Sequence, residues 1–367
     1  MMRSYLMFLL VAMWGCLSWA GEPFSFVVFG DNQCAINSAT SGVPQRQALP
    51  LIVRDLKPTF VLHTGDVMDH GWEPTAYAKF REYYRPMLDA VPFFPTLGNH
   101  DASRNGWVNY QAFLREQLRT VNSRVAPLFA KECKVYLDDD PTVYPAKPGD
   151  PKGKANRKDI PSGFTKKTYY AFRYRNVYVI SLEQGTRWWA NTPRPWLERH
   201  LKQAKDDKTV DHIVVIMHHP VYSSTMPELP PNPAKPGSGE CTGPVRKYHE
   251  PLFQKYGVKL VFSGHAHLYD RFAVPNGDSE THYIVTGGGG GGLNGGHWQT
   301  SVPGTAFTKA RVCAYHVTQV EVRDKELAVS CLLVQGNAAA PKTKLFERVR
   351  ISASGRAESV GKDAPER

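Results

Sequence analysis

Residues 24–33 read FSFVVFGDNQ and residues 60–69 read FVLHTGDVMD, so a short apolar run ends both times on a glycine and an aspartate. Short runs of apolar, β-branched and aromatic residues predict buried strands, and the glycine lets the chain turn sharply where each strand ends. Polar groups that follow parallel strands point into the crevice where α/β sheets bind ligands. We therefore expect Asp31 and Asp66 to lie at one rim of a sheet.

Three more apolar runs end on polar residues, here asparagine and histidine. Residues 93–101 read FFPTLGNHD, residues 213–220 read IVVIMHHP and residues 260–267 read LVFSGHAH. Any one motif is weak evidence, because a Gly-Asp pair after a strand is most often a turn and His218 alone resembles a hydrogen-bonded core histidine. Carboxylate, amide and imidazole groups in this order at several strand ends predict a two-metal hydrolytic centre.

The remaining sequence alternates strand and helix patterns. Strands are predicted at 24–29, 59–63, 92–97, 168–174, 177–182, 212–217, 258–262 and 282–286, and helices at 45–56, 75–88, 195–205 and 245–256. This alternation predicts stacked α/β layers. After residue 311 the pattern is purely β, with strands expected at 311–322, 326–334 and 344–351 that complete a second sheet.

The first twenty residues predict a secretory signal peptide. Arg3 precedes an apolar stretch over residues 5–17, and Ser18-Trp19-Ala20 places small residues where a signal peptidase cleaves. A membrane anchor is the alternative, but the apolar stretch is short for a membrane span. We expect cleavage after Ala20, one folded domain over 21–351, an exported product in the periplasm or outside the cell, and no stable membrane insertion.

Two further stretches are expected to be insertions, and the end of the chain is expected to be a flexible tail. Residues 138–162 and 227–243 are crowded with Pro, Gly and charged residues, and residues 352–367 are polar. Removing the signal peptide leaves an odd number of cysteines whose pairing stays open. They are Cys34, Cys133, Cys241, Cys313 and Cys331.

The net charge of +11 indicates a basic surface. A basic surface favours anionic ligands, but no basic run is interleaved with aromatic residues, so nucleic-acid binding is not expected. Most of the lysine and arginine side chains are interpreted as solvated.

The ordered motifs, over about residues 24–292, resemble the calcineurin-like metallophosphoesterases, which include the purple acid phosphatases. Residues 195–201, PWLERHL, also resemble the Trp-Leu helix of that family. The resemblance implies a two-sheet α/β sandwich of αββα type with a dinuclear metal site at the carboxyl ends of the strands. It implies two divalent or mixed-valence ions of Fe, Mn or Zn, and a small-molecule or protein phosphoester as substrate.

The resemblance also implies roles for single residues. Asp66 would bridge both metals and His100 would be the general acid. Asp69 would orient His100, although an N-cap role for Asp69 stays open. The other implied ligands are Asp31 and His267 for one metal, and Asn99, His218 and His265 for the other.

Two positions depart from the family pattern. Gln33 stands where many members have a histidine, and its neutral amide oxygen is a weaker ligand than imidazole. Asp69 stands where purple acid phosphatases have a metal-binding tyrosine, which disfavours the iron–tyrosinate type. A subset of the family has the Asp-x-Gln form, so we keep Gln33 as a candidate ligand with the occupancy of its site open.

These features predict hydrolysis of phosphate monoesters by a metal-bridging hydroxide, with His100 protonating the leaving oxygen. The alternatives are phosphodiester cleavage on the same centre, and a catalytically weak anion-binding protein, which only Gln33 favours. The glycine run 287–292 lacks the Lys-Ser/Thr of a P-loop and is expected to pack near the metals. His70, His219 and Arg104 adjoin the motifs and are interpreted as surface or supporting residues.

Overall fold

A computed structural model describes most of the chain, namely residues 22–34, 43–120, 132–136, 168–184, 192–228, 242–294, 298 and 303–362. The expected signal peptide, the insertion at 138–162, most of the insertion at 227–243 and Cys241 lie outside the described residues. Among the described helices, none is long and apolar enough to cross a membrane.

The strands and helices alternate through the first two thirds of the chain. The strands are β1 (Phe24–Phe29), β2 (Phe60–His63), β3 (Phe93–Pro95), β4 (Cys133–Tyr136), β5 (Tyr170–Tyr174), β6 (Val177–Ser181), β7 (His212–Ile216), β8 (Leu260–Ser263), β9 (Tyr269–Asn276), β10 (Ser279–Thr286), β11 (Thr308–Val312), β12 (His316–Arg323), β13 (Glu326–Asn337), β14 (Ala340–Ile351) and β15 (Ala357–Lys362). The α-helices are α1 (Val43–Leu56), α2 (Ala76–Leu88), α3 (Asn99–Ala102), α4 (Trp107–Thr120), α5 (Arg194–Asp206) and α6 (Thr242–Tyr256). Short 3₁₀ turns cover Ser103–Asn105 and Pro303–Phe307.

The strands form two mixed sheets. The first has the order β15-β14-β13-β12-β1-β2-β3, and the second has the order β11-β9-β10-β8-β7-β6-β5-β4. β1, β2 and β3 are parallel to one another, and so are β6, β7, β8 and β10. The strands that precede the five motifs therefore belong to the parallel part of each sheet.

The two sheets pack face to face through aromatic side chains. Phe94 of the first sheet stacks on Phe172 of the second with 4.1 Å between ring centroids, and Phe60 meets Phe172 edge-on at 5.5 Å. Such large apolar side chains supply most of the free energy of burial. Helices α1, α2 and α4 cover the first sheet, while Trp196 of α5 and Phe253 of α6 cover the second. The predicted αββα sandwich is confirmed.

A buried ion pair also links the sheets. Arg271 of β9 donates to Glu347 of β14 through Nε at 2.7 Å and Nη2 at 2.9 Å, and the Tyr269 hydroxyl donates to Glu347 Oε1 at 2.6 Å. Every polar atom of the carboxylate is thus engaged at the interface between the two layers.

Two expectations for the C-terminal part were wrong. The strands expected after residue 311 are observed as β12, β13 and β14, and they lie in the first sheet and not in the second. β12 pairs antiparallel with β1, and β13 and β14 follow it in the same sheet. The tail expected to be flexible from residue 352 contains β15, which pairs with β14. Backbone pairing with an available sheet edge orders this polar segment, a contribution that side-chain hydrophobicity does not report.

Candidate metal centre

The motif residues converge at the rim where the parallel strands end. Asp31, Asp66 and His218 are almost completely buried. One ligand-type atom from each of these three residues lies within 4.8 Å of the others, and the same holds for His218, His219 and His265. A buried cluster of carboxylates and imidazoles is the environment in which proteins hold metal ions.

The backbone at this rim is strained. Asp31, Asp66 and His265 have φ values of 58°, 55° and 68°, a left-handed region that non-glycine residues seldom adopt. Strain of this kind persists where surrounding contacts enforce it and concentrates at functional sites. Here Asp31 N–H donates to the Gly65 carbonyl at 3.0 Å, which joins the first motif to the second.

The motif glycines are explained by close approach of the backbone to the carboxylates. A Cβ on Gly98 would lie 2.0 Å from Asp66 Oδ1, and a Cβ on Gly264 would lie 2.2 Å from Asp31 Oδ2. Both distances are far below van der Waals contact, so any side chain at these glycines would displace a carboxylate of the centre.

One side of the centre brings together an amide and two imidazoles. Asn99 Oδ1 lies 2.8 Å from His218 Nε2 and 2.9 Å from His265 Nδ1. His218 Nδ1 is 2.9 Å from the Thr64 carbonyl and donates its proton there, which directs Nε2 toward the cluster. A hydrogen bond that fixes the tautomer in this way is typical of histidines that bind metals.

The other side brings together Asp31, His267 and Gln33. His267 Nε2 lies 3.5 Å from Asp31 Oδ1, while its Nδ1 donates to the Gly292 carbonyl at 2.5 Å. The Gln33 amide nitrogen is 3.4 Å from His267 Nε2, so Gln33 borders this cluster. A half-turn of the amide would present its oxygen instead.

Asp66 lies between the two clusters. Its Oδ1 is 3.4 Å from His218 Nε2, and its Oδ2 is 3.5 Å from the Gln33 amide nitrogen. Burial opposes its ionisation, but His218 holds the pKa of Asp66 well below its usual range. Burial likewise disfavours charged His218, but Asp66 raises the pKa of that imidazole to about 10. A cation placed here would take over the role of the imidazolium proton.

His100 lies beside this centre and contacts Asp69. His100 Nδ1 is 2.9 Å from Asp69 Oδ1 and 3.0 Å from the Asp69 carbonyl, and its backbone N–H donates to Asp66 Oδ1 at 2.9 Å. Burial lowers the pKa of His100, but Asp66 and Asp69 outweigh it and raise the pKa above its usual value. The side chain is 38% exposed, so a ligand can reach it.

Asp101 is a supporting residue that the sequence analysis did not single out. Its carboxylate accepts hydrogen bonds from the backbone of Val67 at 3.1 Å, Met68 at 3.0 Å and Gly98 at 3.2 Å, and from the Tyr77 hydroxyl at 2.9 Å. These bonds fix the second motif to the third. The available signal was its place as the last residue of Gly98-Asn99-His100-Asp101.

Asn32 and His63 support the centre in the same way and were also missed. The Asn32 side chain donates to the Val67 carbonyl at 3.0 Å, and its Oδ1 lies 2.5 Å from His63 Nε2. Burial lowers the pKa of His63 to about 3, so this histidine is a neutral donor to Asn32. Both residues therefore link the first motif to the second.

The glycine run packs against the centre, as expected. Gly291 N–H donates to the Asp31 carbonyl at 2.7 Å, and Gly289 N–H donates to the Gly30 carbonyl at 2.8 Å. The His219 ring lies 4.4 Å from the His265 ring.

The cysteines within the described ranges, Cys34, Cys133, Cys313 and Cys331, are all free thiols.

The donor set fits two metal ions. Each cluster joins harder oxygen ligands to imidazole nitrogens, and one buried carboxylate faces both clusters, which is the composition that Fe, Mn and Zn accept. The tautomers of His218 and His267 are already fixed by carbonyl groups.

Comparison with known proteins assigns the class. A family model described as calcineurin-like phosphoesterase matches residues 24–269. The chain therefore belongs to the calcineurin-like phosphoesterases.

Within that family the chain is similar to purple acid phosphatases. It is 29% identical to the tartrate-resistant acid phosphatase type 5 of Oryctolagus cuniculus over 321 residues, which cover 82% of each chain. It is 34% identical to the probable purple acid phosphatase 20 of Arabidopsis thaliana over 113 residues, 30% of this chain and 24% of the plant protein. A purple acid phosphatase structure from yellow lupin (Lupinus luteus) superposes with a TM-score of 0.58 at 16% identity, covering 90% of this chain and 54% of the lupin chain.

Proposed function

We propose that this protein is a metal-dependent phosphatase that hydrolyses phosphate monoesters. The observation that carries the proposal is the position of Asp66, with Asn99, His218 and His265 on one side and Asp31 and His267 on the other. These six residues would hold two metal ions, and Gln33 would complete the second cluster with its amide oxygen. The relatives named as acid phosphatases support the choice of monoesters.

Bound at these residues, two metal ions would supply a positive clamp for the phosphoryl oxygens and would acidify a water molecule. His100 would donate the proton on Nε2 to the departing oxygen. Asp69 holds His100 Nδ1 at 2.9 Å, which fixes the orientation of the ring and stabilises the imidazolium. Asp66 and Asp69 raise the pKa of His100 above its usual value, which favours the protonated imidazole.

Metal-loaded protein and two chromogenic substrates test the choice of monoesters. We expect kcat/KM for 4-nitrophenyl phosphate to exceed that for bis(4-nitrophenyl) phosphate by at least about tenfold, since a monoester carries more charge for the clamp to neutralise. A preference for the diester would replace the monoester proposal with the phosphodiesterase alternative.

One feature favours a catalytically weak anion-binding protein as a second candidate. Gln33 supplies an amide where an imidazole would bind a metal more tightly, and its nitrogen faces both His267 and Asp66. If metal-loaded protein binds inorganic phosphate but hydrolyses neither nitrophenyl substrate, this second candidate is the correct one.

We also propose that the protein is exported after cleavage behind Ala20. The support is the sequence pattern of residues 1–20 alone. Expression of the full chain, followed by N-terminal sequencing of the periplasmic or secreted product, should return Gly21 as the first residue. Full-length protein retained in the cytoplasm would contradict this.

A further inference from the structure

The wall of the site beside His100 carries an arginine in a strained conformation. Arg104 has a φ of 47° and Asn105 a φ of 69°, so two consecutive residues with side chains occupy the left-handed region. That region is unfavourable for residues with a Cβ, and its use twice in succession indicates that neighbouring contacts enforce the turn.

Those contacts come from α3 and from the loop that follows Asp69. A Cβ on Gly106 would lie 2.3 Å from the Asp101 carbonyl and 2.7 Å from the Trp72 backbone nitrogen, so the two loops pack backbone to backbone. The Asn109 side chain donates to the Gly71 carbonyl at 3.0 Å and fixes the same loop from α4. These contacts therefore fix the turn that carries Arg104.

A continuous line of contacts joins Arg104 to His100. The Arg104 guanidinium lies 4.5 Å from the centroid of the Trp72 ring, and the His70 ring packs on Trp72 with 4.5 Å between centroids. His70 Nε2 is 3.8 Å from Asp69 Oδ2, and Asp69 Oδ1 is 2.9 Å from His100 Nδ1. Arg104 thus belongs to the same wall as the candidate acid.

Within the described ranges, Arg104 is exposed and has no acidic partner. The face of Trp72 restrains the guanidinium but does not use its hydrogen-bond donors. An arginine that is stacked on an aromatic ring has already lost part of its freedom, so it can bind an anion at a lower entropic cost. Its planar fork matches a carboxylate or a phosphate with two parallel hydrogen bonds.

We propose that Arg104, stacked on Trp72, binds a second anionic group carried by the leaving part of the substrate. The inference rests on the proposed function, in which His100 protonates the leaving oxygen, because Arg104 lies four residues after His100, in the 3₁₀ turn that follows α3. The substrates selected by this residue are phosphate monoesters whose alcohol also carries a carboxylate or a second phosphate.

Phenyl phosphate and its 2-, 3- and 4-carboxy derivatives test the proposal. For the best carboxy isomer, we expect wild-type protein to show a kcat/KM about tenfold above that for phenyl phosphate, mainly through a lower KM. Arg104→Ala and Arg104→Gly should both abolish this preference, while Arg104→Lys should retain part of it. The glycine variant removes the side chain but relieves the left-handed backbone, so its effect cannot come from a distorted loop.

Arg323→Ala is the matched control. Arg323 is 65% exposed and is the last residue of β12. It lies beside the beginning of β1, at the opposite end of that strand from the motifs. Its loss should leave the substrate preference unchanged. A wild-type protein without a preference, or a preference that survives in both the Ala and Gly variants of Arg104, would overturn the inference.

Calorimetric binding of the matching phosphonates separates this inference from the proposed function. These analogues, phenylphosphonate and its carboxy derivatives, bind without being hydrolysed. If the protein hydrolyses none of the phosphates, the proposed function fails, yet tighter binding of a carboxyphenylphosphonate that disappears in Arg104→Gly would still support the anion site. Equal binding of all the phosphonates by wild-type protein would overturn it.

Discussion

At the scale of single residues, Gln33 is the candidate ligand whose contribution is most open to test. Its amide lies 3.4 Å from His267 and 3.5 Å from Asp66, so a histidine there could reach the same cluster. Imidazole is the stronger ligand for Fe, Mn and Zn because it offers a basic nitrogen lone pair.

We expect Gln33→His to lower the dissociation constant of the more weakly held metal by about tenfold. Competition with a chromogenic chelator measures that constant. Gln203→His, on the exposed face of α5, controls for an added imidazole elsewhere. Equal affinity in wild type and Gln33→His would show that residue 33 does not contact the metal.

Asp69 allows a second test at this scale. If it positions His100 as the acid, Asp69→Asn should lower kcat by about 10²-fold for an alkyl phosphate and much less for 4-nitrophenyl phosphate, whose leaving oxygen hardly needs a proton. Steady-state kinetics on both substrates give the two ratios. Equal losses on both would mean that Asp69 supports the fold of the loop and not proton transfer.

The motif residues could be predicted because each follows a strand whose hydrophobic pattern is unmistakable. Asp31, Asp66 and His218 are brought within 4.8 Å, as the strand-end argument requires. The supporting residues Asp101 and His63 could not be ranked in advance. Their roles depend on which backbone groups the folded loops leave without partners, and no spacing in the sequence records that.

At the scale of secondary-structure elements, the contact between β9 and β14 holds the two sheets together through charge. Glu347→Gln should lower the free energy of unfolding by about 3–5 kcal/mol, because it leaves the Arg271 guanidinium buried without its counter-charge. Urea denaturation followed by circular dichroism measures the change.

The double variant Arg271→Met, Glu347→Leu is the control for this prediction, since it removes both charges and should recover most of the loss. Asp206→Asn, at an exposed pair with Lys202 on α5, should have little effect. A Glu347→Gln protein as stable as wild type would mean that water reaches the pair.

Sequence patterns found most of the strands but missed β9 and β15. β9 contains two buried charged residues that look solvent-exposed in the sequence. Asp270 accepts hydrogen bonds from Ser224, and Arg271 pairs with Glu347. β15 has little apolar character and forms because the edge of β14 offers backbone groups. Strand order within a sheet also depends on such pairings, which explains why β12 to β14 were assigned to the wrong sheet.

At the scale of the whole molecule, buried neutral histidines predict a stability that falls in acid. Burial lowers the pKa of His249, His282 and His316 to about 4 in each case. In the unfolded chain these imidazoles bind a proton near pH 6.5, whereas in the folded chain they stay neutral down to about pH 4. Their contribution is complete above pH 6.5 and is lost progressively as the pH falls toward 4.

His249→Gln isolates one such group, because every other titrating residue is shared with wild type. We expect wild type to lose up to about 3 kcal/mol more unfolding free energy than the variant between pH 6.5 and pH 4. Denaturation curves at several pH values give the difference. Parallel pH dependences for the two proteins would show that the folded chain binds a proton at His249 as readily as the unfolded chain does.

The most direct test of the account is the metal content and hydrolysis rate of residues 21–367 beside Asp66→Asn. Elemental analysis should find about two metal ions in each wild-type chain, and 4-nitrophenyl phosphate should be hydrolysed at least about 10³-fold faster by wild type than by the variant. Asp66→Asn should also retain less metal, because a neutral amide replaces the carboxylate that faces both clusters. A wild-type chain that binds no metal and hydrolyses the ester no faster than Asp66→Asn would contradict the account.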